Sequence, residues 1–136
     1  MLLMACFLSI SGCHTKNYPA HNLPEEQLTF GKGGGFTGDV TKYILLKNGQ
    51  LFQSSSLSGD VTEIGKVEKK QVTTLFKKAD SLGQVDFNHP GNYYYFITRK
   101  LPGKESTVIW GSPEDKIPSH IQELYDALNK LIRANK

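Results

Sequence analysis

Glycines, serines and histidines carry what reactive potential this sequence has, and their spacing decides what each group could do. In Gly31-Lys-Gly-Gly-Gly-Phe-Thr-Gly38, the portion Gly33-Gly-Gly35-Phe-Thr-Gly38 is a formal match to the dinucleotide fingerprint. That fingerprint needs a strand before it and a helix after it, so that a pyrophosphate meets a helix N-terminus. The residues after Gly38 are strand-like, and no Gly-Lys-Ser/Thr ending completes a phosphate loop. The run is therefore expected to be a bent or bulged lead-in strand in which backbone approaches backbone closely, with a flexible lid over a ligand as the alternative. Asn88-His89-Pro90-Gly91-Asn92 has the composition of a turn, around which Asp86, His89 and Asn92 could line a polar pocket, but no nucleophile accompanies them. His120 and Glu123 stand three apart on an expected helix, two ligands without the third that a metal needs. Ser54, Ser55, Ser56 and Ser58 follow an expected strand and lack a nucleophile-elbow context. No catalytic constellation emerges, and neither cofactor nor metal is expected.

The most informative reactive atom is the thiol of Cys13. Before it, Met1 to Ile10 is uncharged and almost wholly apolar. A bilayer core of about 30 Å needs roughly 20 helical residues, so the run is too short to span and has the length of a signal-peptide hydrophobic core. It lacks the Lys or Arg that usually opens a signal peptide, which a start upstream of Met1 would supply. Ile10-Ser11-Gly12-Cys13 resembles the bacterial lipobox, an aliphatic residue and two small ones before cysteine. The resemblance implies thioether attachment of diacylglycerol to Cys13, cleavage after Gly12, and acylation of the new amino terminus with palmitate-type chains. Small side chains suit this because the peptidase must fit the backbone beside a lipidated thiol. Cys6 would leave with residues 1–12, so the mature chain would hold no disulfide and no free thiol. Two or more acyl chains anchor a protein without a transmembrane helix. His14, rather than Asp, follows the cysteine, and no acidic cluster lies between His14 and Glu26. These features favour the outer membrane of the cell envelope and a periplasm-facing position.

Composition narrows the remainder. The chain has 136 residues, 38% hydrophobic and 21% charged, which suits one globular domain with its own core and excludes a disordered chain. Sixteen basic against thirteen acidic residues give a net charge of only +3, so nucleic-acid binding has no electrostatic footprint. Lys69-Lys70 and Lys77-Lys78, the densest basic spots, fall on the polar face of an expected helix.

The expected organisation is a signal peptide over 1–12, a lipidated Cys and flexible tether over 13–27, and a single α+β domain over 28–136. The tether is inferred from Asn17, Pro19, Asn22 and Pro24 without apolar periodicity. Val40 to Leu46 and Gln50 to Gln53 flank Asn48-Gly49, the strongest two-residue hairpin signal, which would set Leu46 opposite Leu51 and Leu45 opposite Phe52. Gly59 to Gly65 offers a weaker strand. Val72, Leu75, Phe76, Ala79 and Leu82 form a helical stripe, with Gly83 placed for a left-handed cap. A second hairpin pairs Tyr93–Thr98 with Ser106–Trp110 through Leu101-Pro-Gly-Lys104, with Pro and Gly in type II positions. Ser112 to Asp115 has the composition of a helix start, but Pro118 would break a running helix, so the main helix is expected to begin there. Its stripe is Ile121, Leu124, Tyr125, Leu128, Leu131 and Ile132. Two ββα-like units result, an antiparallel sheet of about four to six strands with both helices on one face.

That arrangement leaves an apolar face uncovered. Tyr93, Tyr95, Ile97, Val108 and Trp110 share one side of the second hairpin, while Tyr94, Phe96 and Ile109 share the other. Helices can cover only one side. The other needs the glycine segment with Phe30 and Phe36, a partner chain or a ligand. Tyr93, Tyr95, Trp110, Phe36, Tyr94 and Phe96 are thus the candidate binding surface for an envelope protein, peptide or glycan.

With the lipobox, the Gly33–Gly38 run, the Tyr43…Gly49-Gln-Leu51 hairpin, Pro90-Gly-Asn-Tyr-Tyr-Tyr95 and Trp110-Gly111, the sequence resembles small uncharacterised bacterial lipoproteins of the Bacteroidetes kind. The resemblance implies a lipid-anchored module of the cell envelope and brings no catalytic residues with it. The expected role is non-enzymatic binding or assembly. The alternatives are a periplasmic small-ligand carrier or enzyme using Gly31–Gly38 and Asp86–Asn92, or a domain similar to secreted inhibitors.

Overall fold

Short runs rich in β-branched and aromatic residues build most of the sheet, and two 3.6-period stripes build the helices that cover it. The computed structural model describes residues 16–135; the expected signal peptide and Cys13 lie outside the described residues. In chain order the elements are β1 (Gln27–Gly34), β2 (Val40–Leu45), β3 (Gln50–Ser55), β4 (Val61–Lys66), α1 (Lys69–Ala79), a 3-10 turn (Asp80–Gln84), β5 (Asn88–His89), β6 (Tyr93–Leu101), β7 (Lys104–Trp110) and α2 (Ser119–Ala134). The strands form one sheet in the order β4-β3-β2-β1-β6-β7-β5, antiparallel except for β5 beside β7. The fold is α+β, with both helices packed into one apolar cluster on one sheet face. The sheet has seven strands among the described residues, against the four to six expected. The addition is β5, in the segment read as a turn, where the Phe87 and His89 carbonyls accept from Ile109 and Ser112 at 3.1 and 3.0 Å.

Helix positions follow their stripes. Val72, Leu75, Phe76 and Ala79 on α1 and all six apolar stripe residues of α2 are buried, and α2 begins directly after Pro118. Ser112–Asp115 is a turn, closed by Asp115 N–H to the Ser112 carbonyl at 3.3 Å. Gly83 does not adopt the expected left-handed cap. The chain tightens into the 3-10 turn after Ala79 instead, which keeps Leu82 1% exposed.

The two hairpins differ from each other. Leu101 pairs with Lys104 across Pro102-Gly103, with Gly103 at φ 71°, and the register sets Tyr95 opposite Trp110 and Ile97 opposite Val108 as expected. The Asn48-Gly49 turn shifts the expected register by one residue: Leu45 faces Leu51 and Ile44 faces Phe52. A two-residue type I′ turn needs positive φ at both centres, but only Gly49 has it, at 93°. Lys47 therefore joins the loop, and Leu46 closes it by donating to the Gln50 carbonyl at 3.0 Å. Asn48 Oδ1 reinforces the bend by accepting from Gln50 N–H at 2.9 Å.

The face away from the helices is covered twice over, in two different ways. Across β2 and β3, Ile44, Leu46 and Phe52 pack under Tyr18, Ala20 and Leu23. The described part of the expected tether is thus laid on the sheet. Gln50, 2% exposed, holds it with a fully engaged amide. Its Oε1 accepts from Tyr18 N–H and Asn48 Nδ2, both at 2.7 Å, and its Nε2 donates to the Tyr18 carbonyl and Glu63 at 3.1 and 3.3 Å. Across β1 and β6, the glycine segment is a central strand rather than a lead-in. Gly31 and Gly33 pair with Phe96 and Tyr94, whose rings occupy the space that side chains on β1 would need. Phe30, expected to shelter this face, points to the helices and is fully buried.

A buried charge fixes the far end of the N-terminal segment. Arg99, 6% exposed on the helix side of β6, donates to Glu26 at 2.8 Å and Asp80 at 3.2 Å and lies over the Phe76 ring. Lys47 adds a second contact to Glu26 at 3.0 Å. Partial burial works to raise the Glu26 pKa, but hydrogen bonds from Arg99 and Lys47 outweigh it and the net shift is downward. A carboxyl whose folded pKa is depressed contributes stability that is present above its unfolded value and lost as pH falls through the folded one. Glu26→Gln should therefore lose less stability than the wild type between about pH 5 and pH 3, measured by urea unfolding across that range. The glycines give a second expectation. A Cβ at Gly31 would strike the Thr41 carbonyl, whereas one at Gly33 meets mainly the Tyr94 ring. Gly31→Ala should cost about 2 kcal/mol or more even in a Phe96→Ala background. The smaller cost of Gly33→Ala should shrink when Tyr94 is also Ala, a coupling of about 0.5–1 kcal/mol in a double-mutant cycle.

Candidate functional site

The six aromatic residues expected to form one surface are divided by the sheet among three environments. Trp110 is 7% exposed and belongs to the core under α2. Its ring meets Tyr125 edge-on at 4.9 Å and Tyr95 at 5.9 Å, with Tyr95 and Tyr125 5.7 Å apart. Tyr125 reaches past this group and donates its hydroxyl to the Gly31 carbonyl at 3.1 Å, and burial raises its pKa. Tyr94 and Phe96 lie half-buried over the β1 glycines. Only Phe36, Tyr93 and Tyr95 are exposed, at 106%, 64% and 38%.

Those three converge at one end of the sheet. Gly34 at the end of β1 and Gly35 and Gly38 in the loop to β2 take positive φ, a bend that places Phe36 at its tip. Gly35 N–H donates to the Asn92 carbonyl at 2.9 Å, so the glycine segment and the 86–92 turn meet. On its other side, Asp39 Oδ1 accepts from the Ser55 and Ser56 hydroxyls at 3.0 and 2.9 Å, tying in the β3–β4 turn. That turn carries Leu57, 70% exposed. Sequence reasoning missed Leu57, although a lone leucine among Ser54, Ser55, Ser56, Ser58 and Gly59 was a legible signal of an apolar residue on a polar tip. A cleft of about 280 Å3 opens at this rim, lined by Lys32, Gly33, Gly34, Asp39, Thr41, Tyr93, Tyr94 and Tyr95. It offers aromatic faces, tyrosine hydroxyls, one ammonium and one carboxylate.

The remaining candidates are accounted for by local structure. The Ser56 hydrogen bond holds the Asp39 carboxyl below its ordinary range, which makes it a poor proton acceptor for a neighbouring serine. His89 Nδ1 stands 3.3 Å from Asp115 Oδ2 with both side chains nearly half exposed, and its ring meets Phe87 edge-on at 4.6 Å. Asp86 and His89 do not line the cleft; Asn92 reaches the rim through its carbonyl. His120 and Glu123 are exposed on α2, and among the described residues no group of three or more His, Cys, Asp or Glu is placed to hold a metal. No helix among the described residues is long and apolar enough to cross a membrane.

The sequence matches no known family, and no curated protein is significantly similar to it.

The division of the aromatics has a direct test. Trp110→Ala should cost about 3–5 kcal/mol in chemical unfolding, because it empties a core position beneath α2. Phe36→Ser and Leu57→Ser should each change stability by no more than about 0.5 kcal/mol, since Phe36 stays fully in water on folding and Leu57 mostly so.

Proposed function

We propose that this chain is a lipid-anchored, non-enzymatic binding or assembly module of the bacterial cell envelope, attached through Cys13 and facing the periplasm from the outer membrane. The observation that carries the reading is the gathering of the large exposed apolar side chains, Phe36, Leu57, Tyr93 and Tyr95, at the end of the sheet away from the N-terminal attachment. Solvent-exposed aromatic residues grouped at one rim are what partner recognition uses, and a fully exposed Phe on a glycine-supported tip can enter a pocket with little rearrangement. A polypeptide partner suits this rim best, because three separate apolar tips fit an irregular protein surface better than the flat stacking of a sugar ring.

A small-ligand carrier is the second reading, favoured by the meeting of the glycine segment with the 86–92 turn at Gly35 and Asn92. The cleft there, about 280 Å3 and open, falls just below the usual range of roughly 300–1,000 Å3 for small-molecule sites.

Attachment and recognition are tested separately. Mass analysis of the protein from a bacterial envelope should show an acylated chain beginning at Cys13, and Cys13→Ser should give an unlipidated, uncleaved product. Unchanged processing of that variant would refute the anchor. A photo-crosslinking residue at position 36 or 93 in the native envelope should yield one discrete, protease-sensitive adduct, while the same residue at Lys78 yields none. Absence of an adduct at both rim positions, or a protease-resistant one, would reject a polypeptide partner; the second result would indicate a glycan.

A further inference from the structure

The docked N-terminal segment determines which end of the domain can meet a membrane. The Lys16 carbonyl accepts from Asn48 Nδ2 at 2.7 Å, and Tyr18 is gripped on both sides by the buried amide of Gln50. Cys13 precedes Lys16 by three residues, which span at most about 11 Å when fully extended. An acyl group on Cys13 would therefore hold the β2–β3 turn close to the bilayer, where a free 13–27 tether would have let the domain wander.

That end of the sheet is where lysines gather. Lys47 is in the turn, and Lys66 ends β4 opposite Gln50. The chain enters α1 beside Gly49, whose carbonyl accepts from Val67 N–H at 2.7 Å, which brings Lys69 and Lys70 to the same end. Lys47, Lys69 and Lys77 line one groove of about 380 Å3 with Asp80 and Arg99. Of the carboxylates nearby, Glu26 is engaged by Arg99 and Lys47, Asp80 by Arg99, and Glu63 accepts from Gln50, while Glu25 and Glu68 are exposed, fewer than the exposed lysines around them. The apolar rim lies at the other end of β2, whose six residues alone separate the two by about 17 Å.

We propose that the lysine-bearing end, around Lys16, Lys47, Lys69, Lys70 and Lys77, rests on anionic phospholipid head groups and turns the Phe36–Leu57–Tyr93 rim away from the bilayer. The inference rests on acylation of Cys13. Each ammonium near an anionic surface adds attraction that decays within a Debye length, about 10 Å at ordinary salt. The short connection to Cys13 limits how far this end can move from the bilayer, so a modest attraction suffices to orient a domain that is already tethered.

The test uses the full acylated protein in vesicles containing acceptor-labelled lipid, with a donor dye on Thr73→Cys in α1 or on Ser58→Cys in the β3–β4 turn. In vesicles containing phosphatidylglycerol, energy transfer from position 73 should exceed that from position 58 by about twofold or more. The ratio should fall to the smaller value that the short tether alone imposes in pure phosphatidylcholine, at high salt, and in a Lys69→Glu/Lys70→Glu/Lys77→Glu variant whose unfolding curve matches the parent. Equal transfer from both positions in anionic vesicles, or a ratio indifferent to lipid charge, would overturn the orientation while leaving the anchor intact. A protein whose mass shows no acyl chain would overturn the anchor and the orientation together.

Discussion

A seven-stranded sheet has two faces, and two helices cover only one of them. The structure meets that constraint by using backbone and side chains that a helix-and-strand description leaves out. On the β1–β6 half, glycines at 31 and 33 create room and the Phe96 and Tyr94 rings fill it. On the β2–β3 half, Tyr18, Ala20 and Leu23 cover Ile44, Leu46 and Phe52. A bare Phe52 on a sheet face would be an aggregation hazard; at 0% exposure it is instead an anchor for the N-terminal segment.

Covering the sheet with the chain's own N-terminus has consequences for both ends of the segment. At its start, Gln50 replaces the ladder that an eighth strand would have supplied: one side-chain amide pairs with both the N–H and the carbonyl of Tyr18. At its finish, Arg99 draws Glu26 against Asp80 and Phe76, so the segment enters β1 at a fixed angle. An ion pair in which only the guanidinium is buried adds little net stability, since desolvation of Arg99 offsets much of the Coulombic gain, but its loss leaves a buried charge unpaired. Its main effect is therefore on which path the chain takes into the central strand.

Patterns that repeat were legible in the sequence; devices that occur once were not. The stripes of α1 and α2 and the Pro102-Gly103 hairpin register could be read because many residues agree on one period. Asn48-Gly49 announced a turn but not its length, because Asn-Gly suits a two-residue turn and Gly49 equally suits the left-handed position of a three-residue one. The centrality of β1 was hidden because glycines carry no facing preference, and the cover role of Tyr18, Ala20 and Leu23 because three apolar residues among Pro and Asn have no period. Arg99 reads as a polar strand residue until Glu26 and Asp80, 73 and 19 positions away, come into view. The aromatic surface failed as a unit for a related reason. Alternation along β6 correctly separated Tyr93 and Tyr95 from Tyr94 and Phe96, but it could not show that Tyr125 would seal Trp110 into the core while the sheet ran out beneath Tyr93.

The polarity of the domain follows from these packing choices. Because the N-terminal segment runs across the outer face and is held at Asn48 and Gln50, the described chain begins at the turn where Lys47 and the start of α1 lie. Because β1 needs a sharp reversal into β2, the opposite end carries Gly34, Gly35 and Gly38, and among the described residues no helix reaches far enough to cover Phe36. Asp39 then locks the neighbouring β3–β4 turn alongside through two serine hydroxyls, which brings Leu57 to the same rim. Charge at one end and exposed aromatic surface at the other thus both descend from the same cause, the route the chain takes to cover a face its helices cannot.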